Sequence, residues 1–215
     1  MIKFENTEVM NFEGALRGMR NPLNSWEKSD SYMSYDYSSL DRQGERYESV
    51  EIGPNDMDLA RRLIKAGSDH RKFLRQIFVS VDITAPIYWW KEFDTYKVAT
   101  VANSCSTMHK IHSKPIELSD FSMNEDMLGY FVDTIVECEK LRQEYLNTKD
   151  KNYWRALIQL LPCSYNQKRT VTLNYETLRN IYGSRRNHKL DEWSIDFMEW
   201  IDSLPYSEEL IKYYG

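Results

Sequence analysis

Residues 73–90 read FLRQIFVSVDITAPIYWW, and this stretch decides how the rest of the chain is interpreted. In its first half, β-branched residues occupy every second position: Ile77, Val79, Val81 and Ile83. This period of two is typical of a β-strand with one buried face. Thr84 and Pro86 follow, a capping hydroxyl and a proline that suits the first turn of a helix. The stretch therefore predicts a strand that leads directly into a helix.

The predicted helix is unusually rich in large side chains, which are Tyr88, Trp89, Trp90 and Phe93. Such a composition indicates a helix that is buried over most of its circumference. After it, residues 95–107 form a small, polar, hydroxyl-rich segment that we interpret as a loop. A strand, a buried helix and a polar loop in succession form a suitable scaffold for a binding site.

The composition argues against a disordered chain and against a protein that binds polymeric nucleic acid. Hydrophobic residues make up 41% of the 215 residues and charged residues 28%, so the chain has enough apolar material for a core. The formal net charge of -5 argues against a partner such as polymeric DNA or RNA, whose binders carry a basic excess. A local basic pocket for a single nucleotide remains compatible with this charge.

Cysteine usage and hydropathy favour a soluble cytoplasmic protein. Cys105, Cys138 and Cys163 are widely spaced, which predicts reduced thiols rather than disulfides or a zinc site. The first residues carry two acids and no apolar run, so we expect no signal peptide. No apolar segment approaches the ~20 residues that cross a bilayer. His109 and His112 are the closest histidines, and without a third ligand they predict no metal site.

Helical patterns outnumber strands along the chain. The predicted strands lie near residues 1–13, 77–83 and 168–173, and the predicted helices near 14–21, 55–67, 124–146, 150–161, 174–183, 188–204 and 206–213. Asn55 is the expected cap of the second helix. Residues 29–51 show no periodicity and form either a long surface loop or a flap over a site. We predict one domain over residues 1–215, of α+β class, with a small, mainly antiparallel sheet flanked by helices.

Polar residues in the segment 162–193 sit where structure alone does not require them. Asn174 either caps the helix that follows it or contacts a ligand. Asn180 lies inside that helix, where it has no capping function. Arg185 follows the helix, and it either suits the negative end of the helix dipole or holds a phosphate or an anionic ring edge. Phosphate-binding glycine motifs and the common hydrolase motifs are absent.

The order of these elements over residues 68–203 resembles the flavin-dependent thymidylate synthases. The motifs that carry the resemblance are Ala85-Pro86-Ile87, Leu160-Leu161-Pro162, and Thr172-Leu173-Asn174 with Leu178, Asn180 and Arg185. The resemblance implies an enzyme that transfers a methylene group from methylenetetrahydrofolate to dUMP and reduces it with FAD. NADPH then recharges the flavin. It also implies a homotetramer whose active sites lie at subunit interfaces.

The resemblance also implies roles for individual residues. Asn174 and Asn180 match asparagines that contact the flavin, and Gln76 stands near the position of a flavin-contacting histidine. Arg185 matches an arginine that reaches both the pyrimidine and the flavin ring. A guanidinium at this place would stabilise negative charge that develops on the uracil carbonyl.

The central arginine-rich motif of that family is altered in this chain. Its Arg-His-Arg aligns with Thr95-Tyr96-Lys97, so one positive charge, on Lys97, remains for cofactor and nucleotide contact. In two alternative registers, Asn103 falls on a glutamate or an asparagine of the motif, and the second register also places Ser106 on its serine. Both are candidate nucleotide contacts; the alternative is that Lys97, Asn103 and Ser106 are polar loop residues without a ligand.

Two further functions are compatible with this altered motif. One is a catalytically silent protein that binds or sequesters a nucleotide on the same fold. The other is a structural oligomer that uses the helix around Trp89 and Trp90 as its interface. Cys105 would be a candidate nucleophile, but no histidine is placed by the sequence to activate it.

Overall fold

The protein is described as a computed structural model that covers residues 2–34, 46–47 and 49–214. The strands within these ranges are β1 (Lys3–Met10), β2 (Tyr32–Ser34), β3 (Arg46–Tyr47), β4 (Ser49–Glu51), β5 (Phe78–Pro86), β6 (Val101–Ser104) and β7 (Asn166–Asn174). The α-helices are α1 (Phe12–Arg20), α2 (Pro54–Ala66), α3 (Ile87–Phe93), α4 (Thr107–Lys110), α5 (Val132–Thr148), α6 (Lys151–Leu160), α7 (Tyr175–Arg185) and α8 (Met198–Asp202). Shorter 3₁₀ turns span Asn21–Leu23, Trp26–Lys28, Lys72–Gln76, Ile111–Ser113, Leu118–Asp120 and Glu125–Tyr130, and wider π-helical turns span Glu192–Phe197 and Ser207–Ile211.

The described strands form one main sheet in the order β3-β1-β5-β7-β6 and a separate pair, β2-β4. In the pair, the strands run antiparallel, with Met33 opposite Val50. The predicted α+β class with a small, mainly antiparallel sheet flanked by helices is confirmed. Within the main sheet, β1 and β3 pair in parallel, with Glu8 opposite Arg46.

Strand β5 has the alternating burial that its sequence predicts. Val79, Val81 and Ile83 are buried, whereas Phe78 and Asp82 are exposed or half-buried. The strand also extends further than predicted, through Pro86. The helix therefore begins at Ile87 and has no side-chain cap, so the prediction that Thr84 caps it is wrong.

Helix α3 is buried as predicted. Trp89, Trp90 and Phe93 are each at most 2% exposed, and their ring centroids lie 4.9 to 5.3 Å apart. The backbone N–H of Ile87 donates to the carbonyl of Tyr165 at 3.0 Å. This bond occupies one of the donors that a helix start leaves without an intrahelical partner.

Several predicted boundaries are wrong. The polar segment 95–107 is not only a loop, because it contains β6, next to β7 in the sheet. Helix α2 begins at Pro54 with Gly53 at its cap, while the N–H of Asn55 donates to Asp30. The predicted helix 124–146 begins at Val132, since Asn124 caps a separate 3₁₀ turn before it. The segment 29–51 contains β2, β3 and β4, and its residues 35–45 and 48, on which the flap hypothesis depends, lie outside the described residues.

The chain divides into two compact units that alternate along the sequence. Unit 1 comprises Thr84–Thr95 and Asn103–Arg169, and unit 2 comprises Ile2–Ile83, Tyr96–Ala102 and Thr170–Gly215. In unit 1, α5 packs against α6, and a buried cluster consists of Ile111, Ile116, Phe121, Ile135, Cys138 and Leu157. In unit 2, Phe12 packs edge-on against Tyr175, and Phe197 packs edge-on against Trp193. The single domain over residues 1–215 stays a prediction.

An ion pair in unit 1 gives a first testable prediction about stability. Arg142, which is 5% exposed, donates two bonds of 2.7 Å to Glu139. Hydrogen bonds from Arg142, together with the N–H of Ile116, lower the pKa of Glu139 to about 2 despite partial burial. A lowered pKa contributes stability above the ordinary value of about 4.3, and this contribution is lost as pH falls toward about 2.

We therefore expect Glu139→Gln to lower the free energy of unfolding at pH 7 by about 2 kcal/mol, because the buried guanidinium loses its anionic partner. Urea unfolding should also show that the variant loses less stability than the wild type between pH 5 and pH 2, values that bracket the ordinary and lowered pKa. Glu144→Gln, at an exposed position on the same helix, is the control. Equal acid sensitivity in the wild type and in Glu139→Gln would contradict this account.

Candidate functional site

Arg185 lies in the last turn of α7, where two aromatic side chains orient it. Its Nε donates to the hydroxyl of Tyr96 at 2.8 Å. Its guanidinium carbon lies 5.6 Å from the ring centroid of Tyr96 and 5.0 Å from that of Trp193. The side chain is half-buried. A guanidinium held by a hydrogen bond and two ring contacts is oriented before any ligand binds.

The segment Tyr96–Ala102 reaches α7 within unit 2. The hydroxyl of Thr177 donates to the carbonyl of Val98 at 3.2 Å, which fixes the segment against the first turn of the helix. Lys97 follows Tyr96 directly, and its side chain is exposed. Lys97 is therefore the sequence neighbour of the residue that orients Arg185.

The two asparagines of α7 differ in their surroundings. Asn174 is 2% exposed, and its side-chain oxygen accepts the N–H of Thr177 at 2.9 Å. This residue is therefore the helix cap, one of the two roles considered from the sequence. Asn180 has an exposed side chain that lines a cavity of about 410 Å³ with residues of α2, α7 and the C-terminal segment.

Gln76 lines a larger cavity of about 680 Å³ in unit 2. The apolar wall of this cavity includes Met19, Pro22 and Phe73, while its polar part includes Lys72 and Arg75. Gly18 lies close to Gln76: a β-carbon at position 18 would lie 2.6 Å from the Gln76 side-chain oxygen, so a larger residue there would require the glutamine to move. An apolar wall beside two cations and the carboxylate of Asp69 is compatible with a planar ring that carries phosphates, such as that of a flavin nucleotide.

The chain matches known proteins by structure but not by sequence. No protein-family model matches the chain, and no curated protein matches its sequence. Among solved structures, the flavin-dependent thymidylate synthase ThyX from Helicobacter pylori, complexed with FAD and dUMP, has a TM-score of 0.71 at 16% identity. The match covers 99% of this chain and 100% of that one. A second structure of the same protein with FAD and dUMP has a TM-score of 0.72 at 14% identity, with both chains covered completely.

The chain has the fold of the flavin-dependent thymidylate synthases. The structure of a UMP/dUMP methylase, PolB from Streptomyces cacaoi, bound with 5-Br UMP, also matches this chain. Its TM-score is 0.63 at 13% identity. That match covers 100% of this chain and 95% of the methylase. The likeness extends over the whole chain, whereas the sequence resemblance is confined to residues 68–203.

On the ThyX fold, the predicted nucleotide contacts Asn103 and Ser106 belong to unit 1. Asn103 is exposed in β6. Ser106 caps α4, where its hydroxyl accepts the N–H of His109 at 3.2 Å. A capping role, one of the ordinary functions of a serine, therefore accounts for Ser106 in this structure.

Two residues of the site were missed by sequence reasoning. The sequence gives Tyr96 only as the residue aligned with a histidine of the family motif, and Trp193 only as an inward-facing helix residue. The contact between Tyr96 and Arg185 spans 89 positions, and no local pattern encodes such a pairing. The available signal was the position of Tyr96 beside Lys97, the remaining cation of the altered motif.

The described ranges contain neither a candidate metal site nor a candidate membrane-spanning helix. Within residues 2–34, 46–47 and 49–214, no cluster of three or more His, Cys, Asp or Glu side chains is arranged to hold a metal ion. In the same ranges, no helix combines the length and the apolar character that crossing a membrane requires.

Proposed function

We propose that this protein is a flavin-dependent methyltransferase that transfers one carbon and a hydride to a pyrimidine deoxynucleotide, dUMP or a related nucleotide. The observation that carries the proposal is the orientation of Arg185 by Tyr96 and Trp193 on a ThyX fold. The neighbours with this fold are bound to FAD and dUMP or to 5-Br UMP. In this proposal the protein is a cytoplasmic homotetramer with interface active sites, and residues 1–215 act as one domain.

In the proposed reaction, Arg185 activates the substrate. Its guanidinium donates hydrogen bonds to a carbonyl of the pyrimidine and stabilises the negative charge that develops there as the ring reacts. The ring contacts with Tyr96 and Trp193 hold the guanidinium in place, so little reorganisation is needed during the reaction. Asn103 and Ser106 contact the nucleotide.

The cofactor contacts in the proposal are Gln76, Lys97, Asn174 and Asn180. The side-chain oxygen of Asn174 accepts the hydrogen bond that caps the helix. The side-chain NH₂ group of Asn174 is therefore the part that donates to the flavin. Lys97 supplies a compact positive charge in place of a bidentate fork. When bound, FAD supplies the hydride chemistry, with NADPH and methylenetetrahydrofolate as co-substrates.

A direct experiment tests this function. The purified protein should be yellow, and with NADPH and methylenetetrahydrofolate it should release tritium from dUMP labelled at carbon 5. Tritium is released because the new carbon replaces that hydrogen. If the protein is yellow but releases no tritium from labelled dUMP or labelled UMP, the proposed reaction is refuted, whereas the proposed cofactor is supported.

The second candidate function is a catalytically silent nucleotide-binding or sequestering protein on the same fold. One observation favours it: Lys97 is the only charged residue of the segment 95–102, where the family motif has two arginines. Colourless protein that retains a nucleotide after purification would support this candidate over the enzyme.

Asn180 gives a prediction about cofactor affinity. We expect Asn180→Ala to weaken FAD binding about tenfold, since one or two hydrogen bonds to the cofactor are lost. Quenching of FAD fluorescence on titration with protein measures the dissociation constant. Asn187→Ala, at an exposed position in the turn after α7, is the matched control and should bind FAD as the wild type does. Unchanged affinity of Asn180→Ala would remove Asn180 from the proposed cofactor site.

A further inference from the structure

The cavity that Asn180 lines has a strongly cationic wall. Its volume is about 410 Å³, and its lining includes Lys65, Arg71 and Arg179, all within unit 2. None of these cations belongs to the motifs on which the family resemblance depends. The cavity therefore calls for an explanation of its own.

Arg179 carries a buried charge without a carboxylate partner. Its side chain lies on α7 with 4% of the residue exposed, and Nη1 donates to the backbone carbonyls of Ile211, at 3.1 Å, and of Tyr213. Its guanidinium carbon lies 4.1 Å from the ring centroid of Tyr214. Among the described residues, no carboxylate oxygen lies within 4.0 Å of it. Burial is the main cause that lowers the pKa of Arg179; Arg71 lowers it too, while Tyr214 and the more distant carboxylate of Glu176 partly oppose the shift.

The other two cations leave the wall with an excess of positive charge. Arg71 donates from Nε to both carboxylate oxygens of Glu176, at 2.9 and 3.1 Å. Lys65, exposed in the last turn of α2, forms no ion pair with any described residue. Among the described residues, three cations of this wall thus meet one carboxylate, and an anion in the cavity would offset the difference.

The C-terminal segment completes the wall. The hydroxyl of Tyr214 donates to the carbonyl of Arg179 at 3.1 Å, so the tyrosine ring covers the guanidinium. Gly183 permits this arrangement, because a β-carbon there would lie 2.6 Å from the Tyr214 oxygen. The amide of Asn180 adds a neutral donor at the same cavity.

We propose that this cavity binds a phosphate or diphosphate group through Lys65 and Arg71, with the buried positive charge of Arg179 adding to the attraction from behind the wall. Guanidinium forks match the geometry of phosphate oxygens, and an ammonium adds a compact point charge. The cavity has room for a diphosphate with part of the molecule that carries it. The group belongs to a flavin cofactor, to the nucleotide substrate or to a separate phosphorylated ligand, and the test distinguishes these sources.

The probe is inorganic pyrophosphate, titrated calorimetrically into the full-length chain. We expect saturable binding that weakens about fivefold in Lys65→Gln, since one exposed charge contact is lost. It should weaken more in Arg71→Gln. Lys91→Gln removes the same charge from an exposed position of α3, outside the cavity, and should leave the affinity unchanged. Thermal unfolding of each variant identifies any loss of affinity that is due to misfolding.

Competition then identifies the source of the phosphate. Displacement of pyrophosphate by FAD assigns the cavity to the cofactor, displacement by dUMP assigns it to the nucleotide, and displacement by neither indicates a separate phosphorylated ligand. The inference is overturned if pyrophosphate does not bind, or if Lys65→Gln and Lys91→Gln weaken binding equally. A positive result would stand even if the methyltransferase assay failed, because the probe requires neither flavin nor turnover.

Discussion

Replacing Arg185 by lysine should lower the turnover number for tritium release from labelled dUMP by about 100-fold to 1,000-fold. Lysine keeps the positive charge but loses the planar fork, and it cannot reproduce both the Nε bond to Tyr96 and the ring contacts with Trp193. The charge would then be no longer oriented toward the pyrimidine carbonyl. Because this interaction is expected mainly in the transition state, turnover should fall far more than the affinity for dUMP.

Arg186 provides a matched control for this substitution. It follows Arg185 in sequence, is exposed, and lies 5.6 Å from the ring centroid of Tyr182 and 5.5 Å from that of Tyr214. Arg186→Lys should retain nearly full turnover. Initial rates at saturating dUMP, with each variant loaded with FAD, make the comparison. If Arg185→Lys turned over as fast as Arg186→Lys, Arg185 would have no part in catalysis.

The predictable part of the fold is the part whose local pattern and tertiary role agree. Val79, Val81 and Ile83 alternate in the sequence and are buried on one face of β5. The large aromatic residues of α3 predict burial, and Trp89 and Trp90 are buried. In both elements, hydrophobic burial is the dominant favourable term, and its periodicity can be read from one sequence.

Boundaries and edge strands were less predictable because they depend on partners that are distant in sequence. β6 consists of four exposed residues, Val101–Ser104, and is a strand because it lies beside β7. No apolar alternation marks such an edge strand. The sequence places the cap of α2 at Asn55, two residues after the observed cap Gly53, because the bond from the N–H of Asn55 to Asp30 spans 25 positions and no local pattern encodes it.

The candidate site divides in the same way. Arg185 could be proposed from its position after α7, but its orientation depends on Tyr96 and Trp193, which the sequence does not connect to it. The cationic cavity was not predicted at all. Lys65, Arg71 and Arg179 lie on three separate segments, and only the fold brings them together.

Breaking the buried ion pair between Arg20 and Asp56 should destabilise the fold more than breaking any of the other interactions considered. Arg20 Nε lies 2.5 Å from a carboxylate oxygen of Asp56, and the two side chains are 4% and 0% exposed. The other oxygen of Asp56 accepts from the hydroxyls of Ser29, at 2.8 Å, and Ser31, at 2.6 Å. The carboxylate therefore joins α1, α2 and the segment before β2.

We expect Asp56→Asn to lower the free energy of unfolding by about 3–5 kcal/mol, because it leaves the Arg20 charge buried without a counter-charge. This is a large part of the ~5–15 kcal/mol that stabilises a typical domain. Urea unfolding at pH 7 measures the change. Asp58→Asn is the control: Asp58 lies on the same helix, its side chain is 68% exposed, and its 3.0 Å pair with Arg62 should contribute less than about 1 kcal/mol.

Acid should reproduce part of this loss in the wild type. Burial raises the pKa of Asp56, but hydrogen bonds from Ser31, Ser29 and Arg20 outweigh it, and the net effect is a lowered pKa. The resulting stability is present above the ordinary aspartate pKa of about 3.9 and is lost as pH falls below it. Asp56→Asn should lack this part of the acid sensitivity, since the amide does not titrate. A cost no larger than that of Asp58→Asn would mean that Arg20 finds another partner when the carboxylate is removed.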